Sequence, residues 1–382
     1  MALRATVIVA ASLLSFSACG GDDDEAAVPD CHAHASRATR DGDCACDPGF
    51  TGPADACEDV DECAQDQALC GPDRTCVNTE GGWECACPSG FVVEGHACAP
   101  APPRDPATYT RDEVCGRYAF GMEVTEPAPF DTPAEACDPG VLKPGAIADT
   151  LRRLDMFRWF AGLSPVTHDP VLDASAQKCA NLQAWWISFE DNPHNPPHDA
   201  PCYTDDGAKS ASESNIAWSP DPASSIDRYM IETWNETTMG HRRWILNPPL
   251  GKVGIGHWEQ ASTQTHAQCL RVIDRSGEGR TPPWVAVPNP GFVPLPLSRW
   301  TWTFHGDSAS IPDATVTVRR LDGGAAEELP VVVHRLDQGY GQNTVSWNPV
   351  GWETKAGGAY EVTIGLAEGD VVYVVKPINC GL

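Results

Sequence analysis

The chain has 382 residues, with 53 acidic against 26 basic side chains and a formal net charge of -27. That balance excludes sequence-independent nucleic-acid binding and electrostatic docking on an anionic lipid surface, both of which need a basic face. A 42% hydrophobic fraction and 13 tryptophans exclude a disordered chain, and the length calls for two or three folded units.

The first segment reads as an export signal. Arg4 precedes the apolar run from Ala5 to Phe16, which is too short for a dedicated membrane span and ends in Ser17-Ala18-Cys19. Small residues before a cysteine resemble the bacterial lipobox, with Phe16 where Leu is usual. The resemblance implies acylation at Cys19 after removal of residues 1–18; the alternative is an ordinary signal peptide cleaved near Ala18. Seventeen cysteines are the usage of an exported protein in an oxidising space, and without Cys19 the remaining 16 are an even set for bridges. Residues 19–30, with Asp22-Asp23-Asp24-Glu25, form an acidic tether.

Ten cysteines then fall between Cys31 and Cys98 among few large apolar residues, so this stretch must be stapled rather than held by a core. Six of them, Cys63, Cys70, Cys76, Cys85, Cys87 and Cys98, resemble an EGF-like module over residues 59–98, with Cys87-Pro88-Ser89-Gly90-Phe91 matching its last turn. Spacing alone leaves fifteen pairings open; the resemblance implies Cys63–Cys76, Cys70–Cys85 and Cys87–Cys98. Asp59-Val60-Asp61-Glu62 before the first cysteine, and Asn78 after the third, resemble the calcium-binding subtype. A hard cation takes six to eight oxygens. By that resemblance Asp59, Glu62 and Asn78 offer side-chain oxygens, while Val60, Thr79 and the backbone near Trp83 offer carbonyls. Trp83 stands where Phe or Tyr is usual. Residues 31–57, with four cysteines and Asp47-Pro48-Gly49-Phe50, resemble a shortened EGF-like module. A Pro-rich spacer is expected at 99–108.

Helical spacing comes next in Ile147, Leu151, Leu154, Phe157 and Ala161, stopped by Gly162. A second helix is expected from Asp169 to about Trp186. Arg158-Trp159-Phe160-Ala161-Gly162-Leu163, His194-Asn195-Pro196-Pro197-His198, Ser214-Asn215-Ile216, Gly240-His241-Arg242-Arg243-Trp244-Ile245-Leu246 and Lys252-Val253-Gly254-Ile255-Gly256 occur together. They resemble the bacterial branch of the CAP superfamily, the SCP/PR-1-like fold, which implies an α-β-α sandwich over residues 109–275.

That resemblance also implies a cleft with two histidines and two acidic residues, a donor set suited to zinc or to acid–base work. Carried over residue by residue, the histidines are His194, with His198 as rival, and His241. One acid is Glu232, with Glu236 as fallback. The second acid should directly precede Asn215, but Ser214 stands there and Glu213 is one residue early. On a helix that offset turns a side chain by about 100°, which argues against a full metal set. No Gly-x-Ser-x-Gly elbow, His-Glu-x-x-His pair or phosphate loop occurs. The other expected bridges are Cys115–Cys137, Cys179–Cys202 and Cys269–Cys380.

Short alternating strands over residues 283–382, among them Trp300-Thr301-Trp302-Thr303-Phe304 and Tyr360-Glu361-Val362-Thr363-Ile364, predict a small antiparallel β-sandwich with its tryptophans in the core. Val285 to Pro296 reads as an irregular connector. The expected fold class is thus multidomain: disulfide-rich EGF-like modules, an α/β CAP domain, then the sandwich. The expected function is calcium binding by the EGF-like module and capture of a protein, glycan or lipid ligand by the CAP domain, on an exported protein that meets membrane only through a lipid anchor. The alternative is a metal- or His/Glu-dependent hydrolase of peptide, cell wall or ester.

Overall fold

A computed structural model describes residues 31–381 except 40–41, 66–69, 71–73, 95–96, 132–134, 187–191, 233–234, 236, 261–264, 279–281 and 323. The export signal, Cys19 and the acidic tether lie outside the described residues. No helix among the described residues is long and apolar enough to cross a membrane. The chain divides into two compact units, ending at Ala86 and beginning at Cys87.

The first unit is a chain of hairpins. Strands β1 (Ala35–Ser36) and β2 (Ala45–Cys46) pair, as do β3 (Phe50–Thr51) and β4 (Glu58–Asp59). A helical turn α1 (Glu62–Gln65) leads to the hairpin β5 (Thr75–Thr79) and β6 (Gly82–Ala86). With so little apolar side chain to bury, the bridges Cys31–Cys44, Cys46–Cys57, Cys63–Cys76 and Cys70–Cys85 hold it. The two modules touch where Phe50 meets Gly81. A Cβ on Gly81 would lie 2.9 Å from the Phe50 ring, and the residue's φ of +80° also selects glycine.

The second unit opens with the hairpin β7 (Phe91–Glu94) and β8 (Ala97–Pro100), closed by Cys87–Cys98. The last loop of the EGF-like module therefore folds with the first long helix of the second unit, α2 (Arg111–Met122). Phe91 meets Phe120 edge to face at 5.0 Å, and Ser89 O would lie 2.5 Å from a Cβ on Gly116, both partners being on α2. Residues 99–108 are not a free spacer. Ala101 and Pro106 are buried, and Trp159 Nε1 donates to Ala101 O at 3.1 Å. Helix α2 starts in a capping box between Thr110 and Glu113.

An α-β-α sandwich comes after it. Helix α3 (Pro144–Phe160) ends at Gly162 with φ +70°, as its apolar spacing predicts. Strand β9 (Thr167–His168) precedes α4 (Pro170–Trp185), which Asp169 caps through Val171 N. Next come α5 (Asp205–Ser212), β10 (Ser214–Ala217), α6 (Pro222–Ile231), α7 (Gly240–Ile245), β11 (Lys252–Gln260) and β12 (Thr265–Arg271). The sheet order is β10-β12-β11-β9, antiparallel except for the β11–β9 edge. Gly254 and Gly256 let α4 lie directly on β11: a Cβ would sit 2.5 Å from Leu172 O and 2.2 Å from the Ala176 carbonyl.

Two further sheets complete the unit. One has the order β13 (Trp284–Val287), β15 (Trp302–Gly306), β19 (Asn343–Pro349), β18 (Val331–Arg335). The other runs β14 (Gly291–Pro294), β21 (Val371–Ile378), β20 (Tyr360–Gly365), β16 (Thr315–Arg320), β17 (Glu327–Leu329). The stretch expected as an irregular connector supplies β13 and β14, around a cis Val287–Pro288 peptide. The sandwich is also not wholly antiparallel, since β14 lies parallel to β21. Trp302, Phe304, Trp347, Tyr360 and Ile364 form its core, each no more than 1% exposed.

The remaining bridges differ from expectation. They are Cys115–Cys380, Cys137–Cys202 and Cys179–Cys269. Cys179 on α4 faces Cys269 on β12 because that helix packs on that strand. Cys202 reaches the Cys137 loop, where Asn181 Nδ2 also donates to Ala136 O. Cys115, on the first long helix of the second unit, meets the strand end at Cys380, and Arg111 donates to Asn379 O beside it.

Candidate functional site

Two sites were expected, and each is built within one unit. In the first unit, Asp59 closes β4 and faces the β5–β6 hairpin. Its Oδ2 accepts from Asn78 Nδ2 at 2.7 Å and its Oδ1 from Gly81 N at 2.6 Å. Asp61 caps the following turn through Ala64 N, leaving Glu62 on that turn. Glu62 Oε2 is buried and has no hydrogen-bond donor. A buried carboxylate oxygen without a donor is costly unless a cation completes it. Asp59, Glu62 and Asn78 thus fit a hard cation, with the Val60 and Thr79 carbonyls beside them in the chain. Only two of these ligands are carboxylates, so the site contains no cluster of three or more metal-binding His, Cys, Asp or Glu, and none exists elsewhere among the described residues. Trp83, cross-strand from Asn78, is 41% exposed.

In the second unit the cleft is set by what flanks β10. His194 Nδ1 lies 2.8 Å from Ala211 O, at the end of α5. Burial pushes the His194 pKa down; the Ala211 contact opposes this, and the nearby His241 adds to it. His241 stands at the start of α7, with Met239 before it in the left-handed region at φ 49°. Glu232 ends α6 in the same region, at φ 57°, which aims its carboxylate at α7. Its Oε1 accepts from Arg242 N at 3.0 Å, and its Oε2 lies 3.3 Å from His241 Nδ1. Asn215 Nδ2 donates to His241 O at 3.0 Å, and Tyr229 OH to Asn215 O at 3.0 Å, so sheet, α6 and α7 are locked together.

His194, Glu232 and His241 are therefore brought together. His198 is not: it is exposed, its ring 4.7 Å from Tyr203. Glu213 forms an ion pair with Arg271, whose other nitrogen donates to Ser175 on α4. That pairing commits Glu213 to the α4 side of the sheet. Ser214 donates its hydroxyl to Ser210 O at 2.7 Å and is 6% exposed, so it is not a free nucleophile. Glu236 lies outside the described residues. With one carboxylate in place of two, the zinc set expected here finds no support.

The sequence reading passed over Arg242 and Arg243, both no more than 1% exposed. Arg242 donates to Met230 O, to Thr301 O at 2.6 Å and to Thr303 Oγ1 at 3.2 Å. Arg243 donates to Thr238 O at 2.9 Å, Asp337 O at 2.6 Å, Gln338 Oε1 at 3.0 Å and Gln342 O at 3.0 Å. Burial lowers both guanidinium pKa values to about 10, leaving them charged at neutral pH. They bolt α7, and with it His241, onto the sandwich. Tyr340 completes that contact, its ring 3.0 Å from where a Gly240 Cβ would be. Two adjacent arginines inside an otherwise apolar Trp-Ile-Leu block were the available signal.

Comparison with known proteins detects the two domains in which these sites lie. Residues 59–98 match the family described as calcium-binding EGF domain, and residues 151–270 match the cysteine-rich secretory protein family, CAP. The chain carries a domain of each kind. Among curated proteins, mouse nidogen-2 is 46% identical over 66 residues, 16% of this chain and 5% of the relative. Bovine thrombomodulin is 48% identical over 63 residues, 16% of this chain and 17% of the relative. Human fibulin-5 is 52% identical over 40 residues, 10% of this chain and 9% of the relative. The chain thus spans less than a fifth of the length of these relatives. Paired cysteines at this density, together with the EGF domain, mark an exported protein.

Proposed function

We propose that this is an exported bacterial surface protein that holds calcium in its EGF-like module and uses the CAP cleft to bind a ligand rather than to hydrolyse one. The bacterial assignment and acylation at Cys19 rest on the leader ending Ser17-Ala18-Cys19 and on the Gly240–Leu246 block. The observation that carries the binding reading is the fate of the second acid. Glu213 is drawn to Arg271 and Ser214 is spent on a backbone carbonyl, so the cleft keeps two histidines and one carboxylate. Glu232 Oε2 lies 3.3 Å from His241 Nδ1 without completing a hydrogen bond, so this carboxylate oxygen and His241 Nε2 are the polar points a ligand meets. Calcium would be held by Asp59, Glu62 and Asn78, stiffening the hairpins of the EGF-like module.

Metal titration of the disulfide-intact protein by calorimetry tests both halves. One calcium per chain is expected, lost in Asn78→Ala, with no zinc taken up by the wild type. Stoichiometric zinc that disappears in His241→Ala, together with peptide, cell-wall or ester hydrolysis abolished by the same change, would replace the binding reading with the hydrolase.

A further inference from the structure

The sandwich carries a cavity of about 480 Å³ lined by Arg320, Gly351, Trp352, Glu353 and Lys355. It belongs neither to the calcium site nor to the histidine cleft. Its wall is the segment between β19 and β20, which is fastened at four points. Trp352 Nε1 donates to Pro330 O at 2.8 Å, and Thr354 Oγ1 meets Ser298 Oγ at 2.7 Å. Lys355 N donates to Tyr360 OH at 3.0 Å, and Gly357 N to Pro377 O at 2.9 Å. A loop tied down in this way presents a preformed surface and loses little freedom when something binds.

The chemistry of the lining is mixed in a specific way. Trp352 is half-buried, with one face stacked on the Tyr360 ring at 5.5 Å and 17°. Its remaining surface borders the cavity. Of the tryptophans expected in the core, Trp302 and Trp347 are fully buried and Trp300 is half-buried against Phe157; Trp352, outside the strand pattern, is half-buried too and meets the Trp302 ring edge to face at 6.2 Å. Around it stand Arg320, which contacts Glu327 at 3.2 Å, and Lys355, with Glu353 opposite and Arg299 3.9 Å from Glu353. Two cations, Arg320 and Lys355, share the lining with Glu353 beside one half-buried aromatic ring, on a chain of net charge -27. A matching ligand needs an apolar face for the indole, hydroxyls for Glu353 and an anionic group for Arg320 and Lys355. A nucleic-acid strand would need a longer basic track, and a peptide would need an apolar pocket or an open strand edge.

We propose that this cavity binds a saccharide bearing a carboxylate, a uronic acid unit of an acidic glycan. The sugar's C–H face lies on Trp352, its carboxylate pairs with Arg320 and Lys355, and Glu353 accepts from its hydroxyls. The site is independent of how the histidine cleft is read.

Calorimetric titration of the full ectodomain with trigalacturonate, and with maltotriose as the uncharged control, tests it. EGTA is present throughout, so that calcium at the EGF-like module cannot bridge to the sugar. Trigalacturonate is expected to bind, and Trp352→Ala to weaken it at least ~10-fold. Arg320→Gln with Lys355→Gln should weaken it by a similar factor while leaving the core untouched, which guards against Trp352→Ala failing through misfolding. Absence of trigalacturonate binding, equal affinity for maltotriose, or binding that survives the double charge variant would overturn the proposal.

Discussion

His257 shows how much a single buried side chain decides. It sits on β11, wholly buried, and neither ring nitrogen has a hydrogen-bond partner. Burial pushes its pKa down to about 4; His266, its ring centroid 6.0 Å away, adds to this, and Asp221 at the start of α6 opposes it. Glu259 faces His266 from the same strand as His257, at 4.0 Å. The folded pKa lies below the unfolded value, so the neutral ring's contribution is fully present above about pH 6.5 and is lost as pH falls toward 4. The loss is about 1.4 kcal/mol per pH unit, or about 3 kcal/mol in all. Asp155 and Asp227 work the other way, since burial raises both to about 6 and the folded state takes up their protons first. His194 and His305 share the sign of His257, since burial lowers both, so several groups together set the wild type's acid response. Replacing His257 by Phe should remove its share alone. Urea unfolding of both proteins between pH 4.5 and 6.5 should show the stability difference changing with pH; parallel curves would sink the assignment.

At the scale of elements, the helices and strands were largely legible and the way they are joined was not. Apolar spacing located α4 to within a residue and the end of α3 at Gly162, though α3 begins three residues before Ile147, and Val-Gly-Ile-Gly marked β11 because helix α4 approaches its backbone. Glu232 and His241 could be carried over from motifs because each sits at an element end fixed by local chemistry, and His194 because its turn is held against Ala211 O. Glu213 is held by Arg271, but not through the helical turn of about 100° expected, since Glu213 caps α5 and Ser214 opens strand β10. The three long-range bridges could not be read, because pairing depends on which elements become neighbours and sequence proximity favours short loops. Arg242 and Arg243 escaped for a related reason: their partners are backbone carbonyls of residues that only the fold brings near. Arg243→Ala should leave the Thr238, Asp337 and Gln342 carbonyls short of a donor, at about 3 kcal/mol. Limited proteolysis should then open the segment 336–342 well before the protein unfolds. Cleavage no faster than in the wild type would show that the arginine is not the bolt.

For the whole molecule, the Pro-rich spacer expected at 99–108 gives way to two units whose boundary falls inside the EGF-like module. The last hairpin of that module, the CAP sandwich and the β-sandwich share one unit because residues 99–108 are packed and two buried arginines join the sheets to α7. The outer face of the β15–β19 sheet shows the same union in its composition. Thr303 and His305 are buried there against α7, where a free-standing sandwich would turn polar side chains to water.

The Cys115–Cys380 bridge has a mechanical consequence. Helix α2 and the end of the last strand are covalently one point, closing a loop of 265 residues. A pull applied between the start of the second unit and its last residues runs through the hairpin and α2, crosses the sulfur–sulfur bond, and bypasses the cleft and the sandwich. The folded loop is therefore shielded from tension on that axis. Force spectroscopy with handles at the two termini should reveal a hidden length of about 90 nm only after a reductant is added. The same extension without reduction would mean that the ring is open.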